Sequence, residues 1–177
     1  MNKREFLKTS CAVISAGVLS RLNLAAREQQ PQPRTNWAGN YTYSTNNLHL
    51  PKTVEEVQKV VKSCDKLKAL GARHSFNGIA DSTANQISLK QLDQMTLDKR
   101  ASTVTVDAGV TYGRLSPYLD ENGYAVHNLA SLPHVSVAGA CATGTHGSGV
   151  NNGNLSTAVS ALEMVTADGE LVTLSRS

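Results

Sequence analysis

Gly71-Ala72-Arg73-His74-Ser75-Phe76-Asn77 sets a histidine in a short, glycine-led loop directly after an apolar run, Leu67 to Leu70. A neutral imidazole is a nucleophile, and an unperturbed pKa of about 6.5 leaves much of it neutral at physiological pH. A second segment, Ser131 to Gly149, reads SLPHVSVAGACATGTHGSG. Both segments are small, polar and rich in accessible backbone. Backbone N–H groups bind anions without a charged side chain, provided nothing obstructs them, so glycine, alanine and serine are favoured around such sites. Gly71 is expected to supply a positive backbone torsion, and Ser75 an extra hydroxyl donor. Neither segment is a Walker A loop or a G-x-G-x-x-G fingerprint. Thr143 to Gly149 carries no large apolar side chain. Glycine weakens a helix or strand by roughly 0.5–1 kcal/mol per residue, so this stretch reads as a loop made for close approach to a ligand.

The remaining segments must position these loops. Thr53-Val54-Glu55-Glu56 has the form of a capping box. Val54, Val57, Val60, Val61 and Cys64 continue with helical spacing, while Lys59, Lys62 and Lys66 fall mostly off that stripe. A strand near Leu48 to Leu50, this helix and a strand at Leu67 to Leu70 form a βαβ-like unit. It delivers His74 at the carboxyl end of a strand, where α/β proteins commonly place ligands. Short strands are expected at Gln86 to Leu89 and Ser102 to Val106. Asp107 is a candidate to orient the turn at Gly109. A helix is expected over Tyr112 to Glu121, with Leu115, Tyr118 and Leu119 inward and a stop at Asn122-Gly123. Ala158 to Thr166 and Glu170 to Leu174 read as a hairpin turning at Ala167-Asp168-Gly169. Trp37, the only tryptophan, reads as a buried anchor. His49 and His127 read as structural or exposed, and His134 has no assigned role.

With 177 residues, 40% of them hydrophobic, the chain suits one folded domain. The net charge is +3, and much of the excess precedes residue 28. No basic stripe with interleaved aromatics supports nucleic-acid binding. Cys11, Cys64 and Cys141 make neither a disulfide framework nor a metal motif, so no metal is expected. Residues 1–26 read as an export signal. Lys3-Arg4-Glu5-Phe6-Leu7-Lys8 is its charged start, and Cys11 to Leu19 an apolar run too short for a stable membrane anchor. The charged start is similar to a twin-arginine signal, with Lys3 in place of the first arginine, which implies a periplasmic protein. A general secretory signal is the alternative. Residues 27–35 read as a linker, and 36–177 as the folded domain.

Together, GARHSFN and the SLPHVSVAGACATGTHGSG segment resemble the FAD-binding (PCMH-type) domain of the vanillyl-alcohol-oxidase superfamily. Asn128-Leu129-Ala130-Ser131-Leu132-Pro133-His134 is similar to the text of its sugar-alcohol (alditol and xylitol) oxidases. The resemblance spans about Asn36 to Leu174. It implies an α+β fold in two parts: a small parallel α/β subdomain, then a mixed or antiparallel sheet with helices, with FAD between them. Relatives continue into closing strands and a substrate domain, so the chain reads as an amino-terminal fragment. By resemblance, His74 is bonded covalently to the 8α-methyl of FAD. Gly71, Ala72, Arg73, His74, Ser75, Phe76 and Asn77, with Ser131, Ser136, Gly139, Ala142, Thr143, Gly144, Thr145, His146 and Gly147, bind the cofactor. Ser131 faces the flavin near the substrate and is the catalytic candidate. His146 has two readings, a contact to the pyrophosphate or flavin edge and a backbone-bonded structural histidine. The implied reaction is oxidation of a polyol by hydride transfer to flavin, with O₂ as the acceptor giving H₂O₂. Oxidation or dehydrogenation of an aldonolactone, and a non-catalytic flavin-binding remnant, are the alternatives.

Overall fold

The computed structural model describes residues 33–176. The export-signal reading of residues 1–26, and most of the linker reading, lie outside them. The first sheet has three parallel strands, β1 (Leu48–His49), β2 (Leu67–Ala69) and β3 (Asn85–Ile87), in the order β1-β3-β2. Leu48 pairs with Gln86 and Leu67 with Asn85. The expected βαβ unit is thus split, because β3 inserts between the two strands that the first helix connects. Gln86 and Ile87 are buried, as a central strand demands. Helix α1 (Val54–Ser63) starts as the capping box predicts, with Thr53 Oγ1 accepting from the Glu56 N–H at 3.2 Å. The Glu56 carboxylate reaches one residue further back, accepting from the Lys52 N–H at 2.6 Å.

The second part is built on α2 (Tyr112–Glu121). Its Tyr112, Leu115 and Leu119 join Val110, Ala140 and Leu155 in the main core cluster, and Tyr118 packs against it. An antiparallel ribbon of β4 (Met95–Asp98) and β5 (Thr103–Val106) lays Met95, Leu97, Val104 and Val106 on this cluster. Four residues flanked by polar ones leave too little alternation for β4 to be read from sequence. A six-residue helix, α3 (Val137–Ala142), follows the SLPH text, capped by Ser136. The last ribbon pairs β6 (Ala161–Val165) with β7 (Leu171–Ser175). It starts later than expected because Leu155–Ala158 forms a 3-10 turn. Its turn docks on α1, where Gln58 Nε2 donates to the Gly169 carbonyl at 2.8 Å. Parallel and antiparallel strands with interspersed helices make this an α+β fold, in the two-part order expected.

Candidate functional site

His74 leaves the carboxyl end of β2 in a loop whose carbonyls are tied down. The Trp37 N–H donates to Arg73 O at 2.8 Å, Asn36 Nδ2 to Ser75 O at 3.0 Å and Asn40 Nδ2 to Phe76 O at 3.4 Å. Among the described residues, the N–H groups of 71–76 have no such partners. Backbone N–H groups left without a partner while the neighbouring carbonyls are occupied are suited to bind an anion. The positive torsion that shapes this loop belongs to Arg73, at φ 64°, and not to Gly71 as expected. Glycine at 71 is instead a matter of space, since a Cβ there would lie 3.2 Å from Ser136 Oγ.

That contact joins the two sequence segments. Ser136 is buried, and its Oγ accepts from the Gly139 N–H at 3.3 Å to cap α3. Three residues upstream of Val137, His134 is held by backbone bonds on either side. Gly113 N donates to Pro133 O at 2.7 Å and Tyr112 N to Val135 O at 3.1 Å. His134 Nε2 then meets His74 Nε2 at 2.6 Å. Their ring centroids are 4.6 Å apart with planes 23° apart, a separation that fits edge-to-edge contact through these nitrogens. Trp37 lies over both rings, at 4.6 Å from His74 and 5.2 Å from His134. Phe76 meets His74 edge-on at 6.0 Å.

Trp37 is therefore not the buried anchor that its size suggested. It is 53% exposed, on the face of the histidine pair. Its setting, Asn36-Trp37-Ala38-Gly39-Asn40, holds no apolar neighbour larger than alanine, which was the available signal. The pairing of His134 with His74 across 60 residues had no sequence signal, because nothing local fixes that distance.

The other candidates have distinct surroundings. Ser131 is exposed, in the bend before Pro133. His146 is exposed and its Nδ1 lies 3.0 Å from the Gly147 carbonyl, the backbone-bonded arrangement. Thr143 Oγ1 donates to Gly139 O at 2.9 Å and lies 3.2 Å from Thr145 Oγ1. Gly144 has φ 64° with open space around its Cβ position, whereas a Cβ on Gly147 would strike Asn128 Oδ1 and the Leu129 carbonyl. Gly147 thus packs the loop against the chain before Ser131. Ala142 and Thr143 are exposed at the end of α3. Beneath the site, burial pushes the Tyr112 phenol well above its ordinary range. Burial also raises the Cys141 thiol, more than a hydrogen bond from Tyr112 lowers it. Both groups stay neutral, and Cys141 is not an activated thiol.

The FAD binding domain family matches residues 47–175, which take in the parallel sheet, both loops and the last ribbon. The chain belongs to this family, and FAD is its cofactor. Alditol oxidase of a Streptomyces species is 48% identical over 143 residues, 78% of this chain and 34% of that protein. L-Gulonolactone oxidase of Mus musculus is 35% identical over 147 residues, 80% of this chain and 33% of that protein. The chain spans about a third of the length of these curated relatives. Among solved structures, cholesterol oxidase from B. sterolicum superposes with a TM-score of 0.74 at 22% identity, over 82% of this chain and 32% of that one. Xylooligosaccharide oxidase from Myceliophthora thermophila C1 gives 0.69 at 22% identity, over 85% and 34%. At that identity these two speak for the fold. The free N–H groups of 71–76 and the neighbouring His74 fit such a cofactor, offering anion donors and a nucleophile side by side.

Proposed function

We propose that this chain is the flavin-holding part of an oxidoreductase that oxidises the CH–OH group of a small polyol, with dioxygen as electron acceptor. The observation that carries the reading is the convergence of GARHSFN and SLPHVS at one place. Bound FAD supplies the hydride-accepting ring. The N–H groups of 71–76 hold its pyrophosphate, and His74 anchors the ring covalently. Gly139, Thr143, Gly144 and Thr145 border the same cofactor, and Ser131 presents its hydroxyl where substrate meets the ring. The polyol reading is supported by the greater identity to alditol oxidase than to L-gulonolactone oxidase. The second reading, an aldonolactone as substrate, is supported by the latter. The charged and then apolar first 26 residues support export to the periplasm.

Two measurements on the full protein test this. Acid precipitation is expected to leave a yellow, fluorescent flavin on the peptide containing His74, and His74→Ala to release it into the supernatant. Flavin set free from active wild type would refute the covalent anchor. Peroxide release with xylitol, sorbitol and an aldonolactone then ranks the substrates. Preference for the lactone by kcat/KM would replace the first reading with the second.

A further inference from the structure

The contact between His74 Nε2 and His134 Nε2, at 2.6 Å, is used neither by pyrophosphate binding nor by substrate oxidation. Two ring nitrogens in one hydrogen bond share a single proton, so one imidazole donates and the other accepts. When His74 donates, its Nδ1 carries the lone pair, and among the described residues Nδ1 has no hydrogen-bond partner. The backbone on either side of each histidine is tied down. Arg73 O and Ser75 O on one strand of chain, and Pro133 O and Val135 O on the other, accept the bonds described above. Trp37 closes the pair from its face.

We propose that His134 is the proton acceptor that makes His74 reactive towards the flavin methyl group, a step that rests on the covalent reading above. His74 Nδ1 forms a bond to the methyl carbon, from which one C–H bond breaks and releases a proton. The Nε2–H bond of His74 breaks and its proton passes to Nε2 of His134, so the attacking ring ends neutral. The two electrons left on the ring system are taken by dioxygen, which leaves with the two protons as hydrogen peroxide. Trp37, 5.2 Å from the His134 centroid, presents a π face to the imidazolium formed there. His134 acts through His74 and is a positioning and proton-accepting residue.

The test follows attachment in time, with the full protein prepared flavin-free and FAD added, by fluorescence of the acid-precipitated polypeptide. His134→Ala and His134→Gln are expected to bind FAD yet attach it roughly 100-fold or more slowly, the scale of a lost general base. In His134→Ala, added imidazole is expected to restore the rate, while 1,2,4-triazole, of the same shape but far less basic, is not. Equal restoration by the two azoles makes His134 a space-filler and overturns the proposal, as does wild-type attachment in either variant. In flavin-free wild type, ¹⁵N NMR is expected to find His74 protonated at Nε2. A proton at Nδ1 overturns the proposal with no variant needed. Wild type that never acquires acid-stable flavin, or His74→Ala that does, removes the covalent reading and this inference together. Normal attachment in the His134 variants removes the inference alone.

Discussion

Glycine at two positions of one loop serves two different physical ends. Gly144 sits at φ 64° in open space, so its need is conformational. Gly147 needs room, because a Cβ would meet the Asn128 side chain and the Leu129 backbone. Gly144→Ala is expected to cost about 1 kcal/mol, the left-handed penalty for a residue with a Cβ. Gly147→Ala is expected to cost about 2 kcal/mol, since backbone must shift to admit the methyl. Thermal unfolding of the two variants checks the order, and a more damaging Gly144→Ala would contradict the packing. From sequence, Gly147 reads as part of a loop made for close approach to a ligand; the structure adds a neighbour, the Asn128–Leu129 segment, that also leaves no room for a side chain there. Side-chain-free positions are visible in a sequence; what occupies the space beside them is not. The same holds for His74. Its loop was legible from residue types, whereas its partner His134 depends on how two distant segments meet.

At the scale of elements, Asp81 closes the turn that returns the chain from the His74 loop to β3. Its carboxylate accepts from the Ser44 N–H at 2.8 Å, Ser44 Oγ at 2.6 Å, Tyr41 Oη at 3.0 Å and the Ser82 N–H at 2.8 Å. Desolvation pushes this carboxyl up, but the bonds from Ser44, Tyr41 and Ser82 outweigh it and hold the carboxyl below the usual range. A folded-state pKa below the unfolded value of about 3.9 gives stability that is present above that pH and is lost as pH falls through the folded value. Asp81→Asn is therefore expected to lower the urea midpoint at pH 7, and the gap to wild type to close below about pH 4. A gap unchanged at pH 3 would mean the ion itself contributes nothing. Helix α2 was read with its correct ends because Leu115 and Leu119 mark one face and Asn122-Gly123 a stop. The sheet order was not legible. Strands of two or three residues carry no register signal, and the insertion of β3 between β1 and β2 is decided by the burial of Gln86 and Ile87.

Across the whole molecule, the segments that meet at His74 come from residues 36–40, 71–77 and 131–136, so the site forms only when the parallel sheet and the α2 core are both in place. Local sequence accounts for each segment, and tertiary packing for their meeting. Loading with FAD is expected to raise the midpoint of thermal unfolding with cofactor concentration, by about 2.7 kcal/mol in stability at 100 times the dissociation constant. A midpoint indifferent to FAD would argue against a site assembled this way. Trp37 turns the same assembly into an optical signal. As the chain's single tryptophan, it is the source of this segment's indole emission, and it rests on the two imidazoles. A flavin held at His74, as proposed above, would lie well inside the range of excitation transfer from that indole. Ultraviolet emission from the chain is therefore expected to darken when FAD is added and to recover when the cofactor is removed, a reporter of occupancy that needs no label.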